Sequence, residues 1–179
     1  RVFRQRVSPD EKDYSAAIVL DRSQSMSGDI HHAEEAAVAL AYALEEIDVE
    51  TCVIDMFRSR PRLAKPYGSR VEPSLYSLLT GATGGETPLS DALRLARERV
   101  KDRDGTPFCI VVTDWQPDDQ EAYIDELRDA PFPVLGVYLA FDRRGPDSVG
   151  SSVRESAHLF DQRRIVTDEE RLLGSLRGL

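Results

Sequence analysis

Ala16-Ala17-Ile18-Val19-Leu20-Asp21-Arg22-Ser23-Gln24-Ser25-Met26 is the stretch on which the fold of this chain turns. A short apolar run bounded by polar residues has the length and composition of a strand buried on both faces. The carboxylate and two hydroxyls that follow, spaced Asp-x-Ser-x-Ser, fall where such a strand leaves its sheet. Ligand crevices of open α/β sheets lie beyond the carboxyl ends of the strands. A loop that curls at this point brings the oxygens of Asp21, Ser23 and Ser25 toward one spot, and small oxygen donors of this kind suit a hard divalent cation.

Working outward, the spacing predicts a helix over residues 29–48. Its apolar stripe is Ile30, Ala33, Ala37, Leu40, Leu44 and Ile47, with Glu34, Glu35, Glu45 and Glu46 on the outer face. Residues 50–57 read as a second strand, and the polar, alternating, Pro-containing stretch 58–67 as an edge strand or hairpin arm. A short helix over 72–79 and a flexible loop over 81–85 precede a helix over 89–100, whose stripe is Leu89, Ala92, Leu93, Ala96 and Val100. Thr87 takes the N-cap position of that helix and Pro88 its first turn.

Residues 108–114 read as a third buried strand, 120–127 as a helix and 133–140 as a strand, with a last strand within 157–166. Residues 141–152 form a Gly/Pro/Ser loop, and Thr167-Asp168-Glu169-Glu170 is a capping box that opens a terminal helix. Apolar strands alternating with amphipathic helices imply an α/β fold: a mostly parallel sheet with helices on both faces. Residues 1–13 read as an entry arm and 14–179 as a single domain, the length being too short for two ordinary ones.

Composition narrows the function classes. With 41% hydrophobic and 31% charged residues the chain is globular, and its net charge of −9 argues against a broad basic face for nucleic acid. Only three of the 23 basic residues are lysine: Lys12, Lys65 and Lys101. An acidic, lysine-poor balance fits a halophilic archaeal protein kept soluble by net charge; a GC-rich genome would also favour arginine but leaves the acidic excess unexplained. No apolar run is long enough to span a membrane, and no signal-like stretch follows Arg1-Val2-Phe3-Arg4-Gln5-Arg6. The start without Met suggests a domain cut from a longer chain, with the cytoplasm as the default compartment. Cys52 and Cys109 fall in strands separated by one other. That puts their backbones about 9–10 Å apart, beyond disulfide reach, so both are expected as buried free thiols.

Three segments thus place small oxygen ligands at one mouth of the sheet: Asp21/Ser23/Ser25, then Gly84-Gly85-Glu86-Thr87-Pro88-Leu89, then Val111-Val112-Thr113-Asp114. Together they resemble a von Willebrand factor type A (vWA) domain with its metal-ion-dependent adhesion site (MIDAS), over most of the chain from Tyr14 to Leu176. The resemblance implies a Rossmann-like, doubly wound six-stranded sheet of order 3-2-1-4-5-6 with one antiparallel edge strand, which makes 58–67 the edge. It implies that Ser23, Ser25 and Thr87 offer hydroxyls to the ion, with Asp21 and Asp114 acting directly or through water. The family often has Gly where this chain has Gln24 and Trp115. The resemblance implies that Gln24 points away from the ion and should be tolerated, and that Trp115 could narrow a partner's approach or serve as an aromatic anchor.

Hard oxygens balanced by two carboxylates favour Mg²⁺ (or Mn²⁺) over Zn²⁺ and over Ca²⁺. Without a bidentate Glu, the site keeps a position open for a partner's Asp or Glu. Each residue also has a plain structural reading: Asx and Ser turns for Asp21, Ser23 and Ser25, an N-cap for Thr87, a loop-starting residue for Asp114. Glu86 reads as a rim carboxylate or a solvated loop charge. Arg58, Arg60 and Arg62 alternate along one face of the edge, protecting it or contacting an acidic partner. His31 and His32 are adjacent on a helix and do not share a face, and His158 stands alone.

The function expected from these residues is a metal-dependent protein-binding module, non-catalytic itself. The resemblance adds a partner class, an AAA+ ATPase in a chelatase or remodelling complex. The alternatives are a Mg²⁺-dependent hydrolase or phosphotransferase, for which Asp21 and Asp114 are already committed as ligands, and a module of a surface adhesin.

Overall fold

The computed structural model describes residues 13–86, 88–101, 103, 105–114, 119–139 and 162–166. The expected entry arm, Thr87, Trp115, the 141–152 loop, His158 and the terminal helix lie outside the described residues, save Asp13 of the arm.

The central strand is β1, Tyr14–Leu20, and every residue of it from Ser15 onward is buried. Around it the chain runs α1 (Ile30–Glu46), β2 (Glu50–Phe57), β3 (Arg60–Lys65), α2 (Val71–Leu78), α3 (Leu89–Lys101), β4 (Thr106–Thr113), α4 (Gln120–Arg128), β5 (Val134–Leu139) and β6 (Gln162–Val166). The six strands form one sheet in the order β3-β2-β1-β4-β5-β6. All neighbours are parallel except β2 and β3, so β3 is the antiparallel edge. The doubly wound order and the edge strand are those expected from the sequence.

The pleat of β1 divides the core. Ala17 and Val19 join Ile54, Val111 and the stripe of α3, together with Tyr123 and Leu127 of α4. Ile18 and Leu20 join Val53, Ile110 and Val112 under α1 and α2. Among the described residues, helices therefore cover both faces, two to a side. α3 buries Leu89, Ala92, Leu93, Ala96 and Val100, the stripe read from sequence. Each fully buried Leu in such a stripe stabilises the fold by about 1.5–3 kcal/mol.

On α1 the buried face is Ile30, Ala33, Glu34, Ala36, Ala37, Leu40 and Ala41. Small residues let this helix sit close to the sheet. Two expectations are corrected here. Ile47 follows the end of α1 and is 68% exposed, and Glu34 is not on the outer face but 2% exposed within the protein.

Cys52 and Cys109 both pair with Ala17, from opposite sides of β1, and are buried free thiols. A two-residue turn, Arg58-Ser59, joins β2 to β3 with both residues at positive φ (51° and 62°). That is the backbone signature of a type I′ hairpin turn, here made without glycine.

Candidate metal centre

β1 and β4 run parallel with Leu20 opposite Val112, so the chain leaves both strands at the same edge. Asp21 N donates to Val112 O at 2.9 Å, carrying the ladder one residue past the strand. Asp21 thereby lies next to Thr113, whose Oγ1 donates to Asp21 Oδ2 at 2.6 Å. The backbone N–H of Ser23 donates to Asp21 Oδ1 at 2.8 Å, an Asx turn. The turn reading of Asp21 and the ligand reading do not compete, because the turn is what curls the loop.

A 3-10 turn over Gln24–Gly28 follows, with Met26 buried beneath it. Ser23 is buried, Gln24 and Ser25 are exposed, and the two serine Oγ atoms lie 2.8 Å apart. Adjacent ligands of an octahedral Mg²⁺, at 2.0–2.1 Å from the ion, are separated by about 2.9 Å. The serine pair has the spacing of one such edge.

The two carboxylates differ in their surroundings. Asp21 is fully buried, and its carboxyl is pushed up to about 6. Burial is the main cause, opposed by the hydrogen bonds from Thr113 and Ser23 and reinforced by the negative charge of Asp114. Asp114 is 3% exposed, and neither of its carboxylate oxygens has a hydrogen-bond partner among the described residues. A buried carboxylate without a partner is costly, and a second one beside it makes matters worse. Two carboxylates, one with both oxygens orphaned among the described residues, and two hydroxyls at coordination spacing would fit a hard divalent ion. Among the described residues no group of three or more His, Cys, Asp or Glu side chains is placed to hold a metal ion.

Arg22, between the candidate ligands Asp21 and Ser23, was not read from sequence as a site residue. It is 1% exposed, and its guanidinium reaches four groups. Nε donates to Asp55 Oδ2 at 2.8 Å, Nη2 to Leu78 O at 2.6 Å, and Nη1 to Glu34 Oε1 and to Ala82 O, the latter at 3.3 Å. Glu34 Oε1 also accepts from Thr80 N at 3.0 Å and Gly81 N at 2.8 Å. Asp55 accepts from Arg62 Nε and Nη2 at 2.9 and 2.6 Å. Two arginines and two carboxylates balance in charge, and the arginines also satisfy the carbonyls of Ser77 and Leu78 where α2 ends. The available signal was Asp55, an isolated carboxylate inside the apolar run Val53-Ile54-Asp55-Met56, which demands a cationic partner.

The segment leading toward Thr87 is held against this loop. Gly84 N donates to Arg22 O at 3.0 Å, and Glu86 N to Ser59 Oγ at 2.8 Å. Gly85 has φ +86°, and a Cβ there would come within 2.2 Å of Ser59 Oγ. A solvent-open space of about 520 Å³ remains between the β2–β3 turn and this segment, lined by Met56, Arg58, Ser59 and residues 82–85.

The candidate contact residues are thus distributed unevenly. Glu86 and Arg60 are exposed, Arg58 belongs to the hairpin turn rather than the edge strand, and Arg62 turns inward to Asp55. The three arginines do not line one face of the edge, because the turn takes the first and the ion pair the third.

No family model and no curated protein matches this sequence. Solved structures do match. The pilus adhesin SpaC of Lactobacillus rhamnosus GG, in an open conformation, is 11% identical and superposes over 94% of this chain with a TM-score of 0.75. This chain spans 30% of the SpaC chain. The SpRpn10 VWA domain is 9% identical over 93% of this chain and 94% of its own, with a TM-score of 0.68. The N-terminal domain of TFIIH p34 is 10% identical over 96% of this chain and the whole of its own, with a TM-score of 0.67. The fold is that of a von Willebrand factor type A domain.

Proposed function

We propose that this domain is a divalent-metal-dependent protein-binding module, with Mg²⁺ or Mn²⁺ held by Asp21, Ser23, Ser25, Thr87 and Asp114. The observation that carries the reading is the buried carboxylate of Asp114, unpartnered among the described residues, beside Asp21 and the serine pair. The ion would supply a coordination position open to an Asp or Glu of a partner protein. The chain's own residues do the rest: Thr113 and Ser23 N–H fix the Asp21 carboxylate, and the Asx turn presents the serine hydroxyls to the mouth of the sheet.

Titration with Mg²⁺ tests this. The wild-type melting temperature is expected to rise with the ion, and Asp21→Ala to abolish the rise; an Asp21→Ala protein that keeps the response would refute the assignment. Turnover of a generic phosphoester under the same titration would replace the binding module with the hydrolase reading.

An AAA+ ATPase working in the cytoplasm is the partner class that the resemblance brings. The likeness to a pilus adhesin over 94% of this chain favours, as a second reading, a module of a surface adhesin. No helix of the described residues is long and apolar enough to cross a membrane, which is compatible with both. The flanking coding sequence separates them, an AAA+ gene supporting the first and a membrane anchor the second.

A further inference from the structure

We infer that Arg22 is a positioning residue that couples the metal loop to the 79–84 segment, so that metal binding at Ser23 and Ser25 and the arrangement of that segment are one equilibrium. The inference rests on the metal-binding reading above. It stands on the geometry of one side chain. Arg22 is covalently fixed between two of the proposed ligands, Asp21 and Ser23, yet its guanidinium is committed to α1 through Glu34, to β2 through Asp55, to the end of α2 through Leu78 O, and to the following segment through Ala82 O.

The connection is doubled at both ends. The carboxylate that takes Arg22 Nη1 also accepts Thr80 N and Gly81 N, and the carbonyl of Arg22 accepts Gly84 N. Glu34 and Arg22 therefore hold residues 80, 81, 82 and 84 in the run that leads to Thr87, the ligand expected from the other segment. Any displacement of the Arg22 backbone on metal binding would alter these bonds, because the attraction within a buried ion pair offsets its desolvation only when the geometry is good. Coupling of this kind is reciprocal: whatever orders the 79–84 segment raises metal affinity by the factor with which the metal orders the segment. Arg62, half-exposed at the edge strand, completes the charge balance on Asp55, so the network ends at the surface.

The experiment compares wild type, Glu34→Gln and the charge-balanced double variant Arg22→Gln/Glu34→Gln, which leaves the Asp55–Arg62 pair in place. Mg²⁺ affinity is read from the shift in melting temperature, and amide hydrogen exchange is followed at Gly81 and Gly84 with and without Mg²⁺. In wild type the ion is expected to slow exchange at both amides. Glu34→Gln is expected to weaken Mg²⁺ binding about three- to tenfold. The double variant is expected to weaken it at least tenfold and to lose the Mg²⁺ effect at both amides.

A merely structural Arg22 would lower the metal-free melting temperature of the double variant with Mg²⁺ affinity intact, and that result overturns the inference. Should the double variant not fold, wild type and Glu34→Gln decide: wild-type exchange at Gly81 and Gly84 that ignores a bound ion also overturns it. Failure of wild type to bind Mg²⁺ at all is distinguishable from both, since it removes the metal reading and the coupling with it.

Discussion

Thr113 Oγ1 donates to Asp21 Oδ2 at 2.6 Å across the two central strands, and this bond orients a carboxylate that has no exposure to solvent. It also explains why one member of the carboxylate pair is anchored and the other is not. Asp21 has two hydrogen bonds to lower the cost of its charge, whereas Asp114, one residue beyond Thr113, has no partner among the described residues. The pair is asymmetric, and the asymmetry makes the following expectations specific.

Asp114→Ala removes a buried carboxylate that has no partner among the described residues and relieves repulsion on Asp21. The metal-free protein is therefore expected to be no less stable than wild type, against the usual direction for a buried substitution. The same variant is expected to lose its response to Mg²⁺. Thermal melts with and without the ion check both halves; a metal-free melting temperature several degrees below wild type would show that Asp114 has a partner that holds it in the fold.

The pH dependence of the metal-free protein follows from Asp21. Its carboxyl is raised from 3.8 to about 6, so between those values the folded state binds more protons than the unfolded state. Stability from this group is fully present below about pH 4 and is lost as pH rises through about 6, by up to about 3 kcal/mol. Chemical denaturation in EDTA at pH 5 and pH 7.5 is expected to give the higher midpoint at pH 5. Saturating Mg²⁺ is expected to reverse the order.

Much of the fold was legible because its signals are local. The central strands are nearly unbroken apolar runs, the α3 stripe repeats at helical spacing, and Arg60–Lys65 carries the polar alternation of an edge. Even the spacing of the two cysteines followed from strand order. Glu34 was misplaced because its charge outweighed its position: it stands four residues after Ile30, on the same helical face, and that face is buried. Its partner Arg22 is distant in sequence from Asp55 and from the α2 end, so no periodicity could link them. The candidate oxygen donors stand out in the sequence by type and spacing, whereas the network behind them depends on the tertiary fold.

Gly85→Ala tests the contact that holds the Glu86 segment to the hairpin turn. At φ +86° a side chain is already strained, and the new Cβ would meet Ser59 Oγ at 2.2 Å and Ser59 N at 3.0 Å. Because the second obstacle is backbone, rotation of Ser59 cannot relieve it. A loss of roughly 1–3 kcal/mol is expected in denaturant melts. Gly68→Ala is the matched control: φ is again positive (+74°), but nothing lies within 4 Å of its Cβ, so only the backbone strain, about 1 kcal/mol, is expected.

Glu34 and Glu35 are neighbours on α1 with opposite fates, and their substitution by alanine separates a buried charge network from a solvated face. Glu35 is exposed, and Glu35→Ala is expected to change stability by less than about 0.5 kcal/mol. Glu34→Ala takes the partner from Arg22 and from the N–H groups of Thr80 and Gly81, leaving a guanidinium in the protein interior with Asp55 as its remaining carboxylate. Breaking a buried pair from one side costs about 3–5 kcal/mol, most of it the penalty of the charge left behind. If that accounting is right, Arg22→Met combined with Glu34→Met recovers a large part of the loss, since Asp55 retains Arg62 as its partner. Denaturant melts of the two alanine variants and the double methionine variant decide it. Equal losses for the alanine variant and the double variant would mean that the backbone N–H groups of the 80–81 turn, rather than the arginine, are what Glu34 chiefly satisfies.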